Sequence, residues 1–262
     1  MAAQKLEEPR GQAHAIEVDL VLSRDRKLVL SHDPWIDKEL CRTTSGGNPG
    51  HVLIRDLSLQ QIQSNYLCGH SNLSDLPDAE IWPESILSFA EMLELVVDAP
   101  ELAIYLDLKI QPGFTRGARE YAEALEQAFR DRPVSNRVYL EGPTTQALRA
   151  YRNHVSQEFH AILSYPPFYA GENWTIAGAL AMLRTYFNAE LPVEEALAAN
   201  TDFIASPPQV LSDRAIDALR DAEIGIILYT ANDRESFDYF CGREPELIIT
   251  DYPELGPCAA SP

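Results

Sequence analysis

Short β-type runs alternate with helical stretches along most of this chain, and that rhythm limits what it can fold into. The strand candidates are 13–22, 102–110, 137–140, 159–164, 202–205, 224–229 and 247–250. Helical patterns lie between them at 83–97, 115–129, 144–151, 176–187, 211–221 and 234–241. In the fifth of these, Leu211, Ala215, Ile216 and Leu219 form one apolar stripe with polar residues between. Strand, helix, strand in repetition implies a parallel sheet with helical crossovers, because parallel neighbours need a long connection. For a chain of 262 residues the natural closed form is a single TIM-type (β/α)8 barrel.

The pattern yields seven strands where eight are needed. Residues 1–12 contain two glutamates, Pro9 and Gly11 and no β-branched residue, so they make a poor strand. Leu28–Ser31 fits better as a hairpin partner of the first run, across the turn Arg24-Asp25-Arg26. The expected fold is therefore an α/β barrel whose first strand is missing or substituted, with unpaired edges on either side of the gap. We expect one domain over 1–262. Its rhythm breaks at 34–80, a stretch rich in Gly, Asn, Ser and Pro. An excursion of that length is expected to sit over the active-site mouth.

The chemistry is concentrated in Glu17-Val18-Asp19 and His32-Asp33. Residues two apart on a strand share a face, so Glu17 and Asp19 project together from an apolar strand. Such a pair repels unless a cation or a proton intervenes, and oxygen-only ligation suits Mg²⁺ or Ca²⁺. His32 follows the apolar run Leu28-Val29-Leu30 and can reach the same mouth with a ring that titrates near neutrality. Asp107 and Lys109 share a face of a later strand. Strand ends of a barrel converge on one rim, so Glu17, Asp19 and Asp107 can close three sides of a cation while Lys109 meets a phosphate. The plain alternative is a private Asp107–Lys109 ion pair.

Other polar residues carry less. Tyr229, at the end of Ile226-Ile227-Leu228, fits a substrate contact and a core position equally well. Asp251, before Tyr252-Pro253, is at least as well explained as a turn residue. His14 falls on the opposite strand face from Glu17. His51, His70, His154 and His160 have no partner motif, and His160 alternates within an apolar run.

The formal charge of −19, from 40 acidic and 21 basic residues, argues against a nucleic-acid or anionic-membrane surface. It does not exclude a small anionic substrate, because a bound metal inverts the local potential. No apolar run reaches the length of a membrane span, and residues 1–12 lack the hydrophobic stretch of a signal peptide. Cys41, Cys68, Cys241 and Cys258 are far apart and form no CxxC. Reduced thiols and a cytoplasmic location are the expectation.

Taken in order, Ile16-Glu17-Val18-Asp19, Arg26 to Asp33, Asp107-Leu108-Lys109, Tyr229-Thr230-Ala231-Asn232 and Ile249-Thr250-Asp251-Tyr252-Pro253 resemble the glycerophosphodiester phosphodiesterase family over nearly the whole chain. That resemblance implies a TIM barrel with an insertion after the His-Asp motif. It also implies a divalent cation, Mg²⁺ or Ca²⁺, and two histidines that hydrolyse a glycerophosphodiester to glycerol phosphate and an alcohol. Glu17 and Asp19 then correspond to metal ligands, His32 to the second catalytic histidine and Lys109 to the phosphate-contacting lysine. Asp107 stands where glutamate is usual, and Tyr229 where tryptophan is usual. The family's opening His-Arg-Gly strand has no counterpart here, and this coincides with the strand missing from the pattern.

Loss of one contiguous block, with the other motifs kept, reads as an N-terminally truncated active enzyme. Such a chain is expected to hydrolyse phosphodiesters poorly, since a lost acid/base group costs ~10²–10⁴-fold in rate. The rival expectation is a family member that binds phosphodiesters or a partner without turnover. An enolase-like carbanion chemistry is more remote, for want of further carboxylates on successive strand ends.

Overall fold

The structure is a computed structural model that describes residues 13–69, 83–166 and 174–258. In chain order its elements begin with β1 (Ala15–Leu22), β2 (Leu28–Leu30), β3 (Cys41–Thr43), α1 (Leu59–Asn65), β4 (Tyr66–Cys68), α2 (Phe89–Val96) and β5 (Ala103–Leu108). Then follow α3 (Ala118–Asp131), β6 (Val138–Gly142), α4 (Thr145–His154), β7 (His160–Ser164), α5 (Trp174–Phe187) and α6 (Leu191–Ala199). The last are β8 (Phe203–Ser206), α7 (Asp213–Asp221), β9 (Gly225–Leu228), α8 (Arg234–Cys241) and β10 (Leu247–Ile248).

Eight strands form one curled sheet in the order β10-β9-β8-β7-β6-β5-β1-β2. The seven strands from β10 to β1 run parallel, and β2 closes the end as an antiparallel hairpin partner of Leu20–Leu22. These seven are the seven runs expected from the sequence. Among the described residues, neither the outer edge of β10 nor that of Ala15–Val18 has a strand beside it. Residues 1–12, the poor strand candidate, lie outside the described residues.

Alternation of side chains divides the interior into two layers. Outward-facing Leu20, Ile104, Leu106, Leu140, Leu163, Ile204 and Ile226 pack under helices through Phe89, Tyr121, Leu125, Leu148 and Leu219. Inward-facing Tyr105, Tyr139, Ile162, Ala205 and Ile227 fill the concave side together with Phe203, Tyr229 and Leu247. Five of the helices start at polar caps that the strand–helix rhythm left unassigned. Ser58, Ser88, Thr144, Ser212 and Asp233 each accept a backbone N–H of the first turn, worth roughly 1 kcal/mol per cap. The 83–97 helix accordingly begins only at Phe89, behind its Ser88 cap.

The break in rhythm after His32-Asp33 is not structureless. It folds β3, β4 and α1 over a small core of its own, in which Ile36, Ile54, Ile62 and Tyr66 pack against Val21 and Val29 of the hairpin. Residues 70–80 of that excursion, including His70, lie outside the described residues.

The four cysteines correct the expectation of free thiols. Cys41 and Cys68 are direct partners in the β3–β4 ladder and are disulfide-bonded, and Cys241 at the end of α8 is bonded to Cys258. Spacing along the chain hid both pairs, because a ladder brings together residues 27 positions apart. Disulfides form and persist in oxidising compartments, so the thiol argument for a cytoplasmic location falls away. No helix among the described residues is long and apolar enough to cross a membrane.

Candidate active site

The site is set by strand register. Asp19 of β1 is paired with Asp107 of β5, and Asp107 in turn with Glu141 of β6. Glu17 lies one step lower on the same face of β1, opposite Tyr105. Carboxylate oxygens of Glu17, Asp19 and Asp107 all come within 4.8 Å of one another. They line the concave side of the sheet towards the C-terminal ends of its strands, where parallel α/β folds place their sites.

Lys109 completes the cluster. Its Nζ stands 2.7 Å from Asp19 Oδ1 and 2.5 Å from Asp107 Oδ2. The private ion pair weighed from sequence is present, but it is shared with a second strand. Burial disfavours the Lys109 ammonium, yet Asp107 and Asp19 outweigh it and hold the lysine firmly protonated. One ammonium does not neutralise the cluster. Burial, and then repulsion from Asp19 and Asp107, push the Glu17 carboxyl up to about 9. An oxygen-only set of three inward carboxylates, with one still holding a proton, is chemically suited to a hard divalent cation.

The backbone around Lys109 is held by a long-range contact. The Tyr121 hydroxyl, fully buried on α3, accepts the Leu22 N–H at 3.1 Å and donates to the Lys109 carbonyl at 3.0 Å. It ties the end of β1 to the residue carrying the ammonium.

His32 stands on the rim. The Ser31 N–H donates to the Asp19 carbonyl at 3.0 Å, which sets the following residue beside the carboxylates. The ring is largely exposed, with Nδ1 3.2 Å from Asp33 Oδ1. That hydrogen bond raises the His32 pKa. Tyr229 is half-buried on the concave side, and burial followed by the charges of Glu141 and Asp107 push its hydroxyl well above the ordinary tyrosine range.

Sequence reasoning missed Glu141, which corrects the expectation that no further carboxylate stands on successive strand ends. It is almost fully buried, accepts a hydrogen bond from the Tyr105 hydroxyl at 2.6 Å, and burial with repulsion from Asp107 pushes its carboxyl up to about 8. The signal was available: the run Val138-Tyr139-Leu140 leads into Glu141 just as Leu106 leads into Asp107, and β6 runs on to Gly142, past the end expected at residue 140.

The remaining candidates take structural places. Asp251 and Asn232 are joined by two hydrogen bonds, Asn232 Nδ2 to Asp251 Oδ2 at 2.7 Å and Asp251 N–H to Asn232 Oδ1 at 3.0 Å. That joins the loops after β9 and β10. His160 opens β7 at the opposite end of the sheet, its ring 5.1 Å from that of Tyr139. His51 packs on Trp35 in the excursion, and His154 closes α4 by a hydrogen bond to the Ala150 carbonyl.

The glycerophosphoryl diester phosphodiesterase family model matches residues 11–255. The chain belongs to that family. No curated protein matches it by sequence. Among solved structures it is similar to a Silicibacter pomeroyi protein proposed to be a glycerophosphoryl diester phosphodiesterase, with a TM-score of 0.73 at 16% identity over 92% of this chain and 81% of that one. It also resembles an Oleispira antarctica phosphodiesterase in complex with the product sn-glycerol-3-phosphate, with a TM-score of 0.68 at 15% identity over 95% and 85% of the two chains. A third neighbour is the Thermotoga maritima glycerophosphodiester phosphodiesterase, with a TM-score of 0.62 at 21% identity over 97% and 88%. At these identities the structural likeness establishes the fold, and the family rests on the sequence match.

Proposed function

We propose that this phosphodiesterase-family chain is a divalent-cation-dependent phosphoric diester hydrolase that converts a glycerophosphodiester to glycerol phosphate and an alcohol. The observation that carries the reading is the convergence of Glu17, Asp19 and Asp107 around Lys109 at the mouth of the sheet. Glu17, Asp19 and Asp107 would hold the cation, either Mg²⁺ or Ca²⁺. Bound there, it would polarise a phosphoryl oxygen and offset charge developing at phosphorus.

The chain's own groups supply the rest. Lys109 binds a non-bridging phosphate oxygen as a point charge and orients the diester. His32, with Nδ1 engaged by Asp33, offers Nε2 to protonate the leaving alkoxide or to accept the proton of the attacking water or hydroxyl. Tyr229 borders the substrate from just past the end of β9. The product named for the Oleispira neighbour, sn-glycerol-3-phosphate, matches this substrate class. The two disulfides favour action in an oxidising compartment.

Phosphorus NMR of glycerophosphocholine incubated with the protein tests the reading. The diester signal should convert to a phosphomonoester with Mg²⁺ or Ca²⁺ and persist with a chelator or with Glu17→Gln. One observation favours a second reading, binding without turnover: the His32 ring faces solvent and, among the described residues, bonds only to its neighbour Asp33. Saturable binding of the diester without conversion would select that reading.

A further inference from the structure

α5 exposes a run of large apolar side chains near its C-terminal end. Over 174–187 the helix reads WTIAGALAMLRTYF, with Arg184 its single ionisable side chain apart from a tyrosine. A surface helix ordinarily buries its apolar stripe and shows its polar one. Among the side chains described in it, those of 179, 180 and 182–187, Thr185 is buried, its hydroxyl donating to the Val210 carbonyl at 2.6 Å, while Leu180, Met182, Leu183, Tyr186 and Phe187 are exposed. At about 100° per residue these five side chains follow one another over about 160° of the helix surface. Phe187 is 81% exposed and Tyr186 71%. On the adjoining α6, Leu197 is 65% exposed as well. A contiguous apolar surface of this kind marks an interaction site.

The placement narrows the partner. β7 ends at Ser164, whose side chain hydrogen-bonds Glu141 in the acidic cluster. Val210, which anchors the helix, lies in the connection that leaves the C-terminal end of β8. The helix is thus inserted at the mouth end of the sheet, whereas α6 and α7 are the crossovers that pack against each other beside β8 and β9. Charge narrows it further. The helix carries no acidic residue in a chain with 40 of them and a formal charge of −19. A second copy would bring two such charges together around the patch, and an anionic surface would be repelled. An uncharged apolar surface meets neither penalty, and aromatic residues with a flanking arginine suit the headgroup boundary.

We infer that α5 docks this protein on a zwitterionic phospholipid surface, with Leu183, Tyr186 and Phe187 entering the headgroup boundary beside the active-site mouth. The inference rests on the proposed hydrolase only for why the helix stands at the mouth. Docking itself is read without turnover.

Cosedimentation with phosphatidylcholine vesicles tests it, using the full chain and the double variant Leu183→Glu/Phe187→Glu. The parent should bind, and the variant should bind at least about tenfold more weakly, as expected for two apolar side chains lost from the lipid contact. The variant should keep the parent's circular dichroism and its rate on soluble glycerophosphocholine, since neither residue touches the carboxylates. Failure of the parent to bind, equal binding by the variant, or tighter binding to phosphatidylglycerol than to phosphatidylcholine would overturn the inference. So would sedimentation velocity showing a dimer that the double substitution dissociates while vesicles leave the parent in solution. A parent that binds vesicles without hydrolysing the diester would uphold docking and overturn the hydrolase reading instead.

Discussion

Lys109 Nζ reaches from the end of β5 to within 2.7 Å of Asp19 Oδ1 on β1. The ammonium thus counters negative charge on two strands at once, in a cluster whose carboxylates outnumber it. Replacing it with a methionine of similar length leaves mostly buried carboxylates uncompensated. Removing one partner of a buried ion pair costs about 3–5 kcal/mol at full burial, so Lys109→Met should lose a large part of that in the presence of a chelator. Saturating Mg²⁺ or Ca²⁺ should restore some of it. Urea unfolding with and without cation measures both numbers. Equal stability of variant and parent under chelation would contradict the compensating role of Lys109.

Stability should also depend on pH in a defined direction. Glu17 and Glu141 are raised from the ordinary glutamate value of 4.5 to about 9 and about 8. The folded state therefore holds protons that the unfolded state has released. Stability from these groups is fully present below about 4.5 and is lost as pH rises towards 8–9. The metal-free protein should melt at progressively lower temperature between pH 5 and 9. Glu17→Gln should flatten that slope. A melting temperature that climbs with pH over this window would contradict the raised values.

The cysteines give a chemical check on the fold. Thiol titration of the denatured, unreduced protein should find no free sulfhydryl. Reduction should lower stability by roughly 3 kcal/mol per bridge, from loops of 27 and 17 residues. Four titratable thiols in the purified protein would return the chain to the free-cysteine expectation.

Tyr121 links the outer helical layer to the site. Tyr121→Phe keeps the buried ring but strands the Leu22 N–H and the Lys109 carbonyl without their partner. The expected cost is roughly 1–3 kcal/mol, read as a lower melting temperature. An unchanged melting temperature would show that neither backbone group depends on the hydroxyl.

Local pattern carried most of the fold to the surface of the sequence. Strand alternation put Glu17 and Asp19 on one face, and the same two-residue period put Asp107 with Lys109; the register of β1 and β5 then joined the two pairs. What stayed hidden is what depends on tertiary contact. The Cys41–Cys68 bridge needs the β3–β4 ladder, and the Ser88 cap needs the chain to turn before Phe89. Glu141 was hidden for a smaller reason, a strand end placed at Leu140. The helix at 191–199 escaped notice because its apolar residues are spread around it, with Leu197 exposed and Ala196 buried. α5 was seen as a helix from its sequence, but which way its apolar face points is a property of the anchored structure.

The central claim is that Glu17, Asp19 and Asp107 form one divalent-cation site, and isothermal titration of Mg²⁺ and Ca²⁺ into the chelator-treated protein tests it directly. The parent should bind one equivalent, more tightly as pH rises towards 9 because the proton on Glu17 must leave, and Glu17→Gln should bind far more weakly. Equal binding by the parent and Glu17→Gln, or no binding by either, would contradict the account.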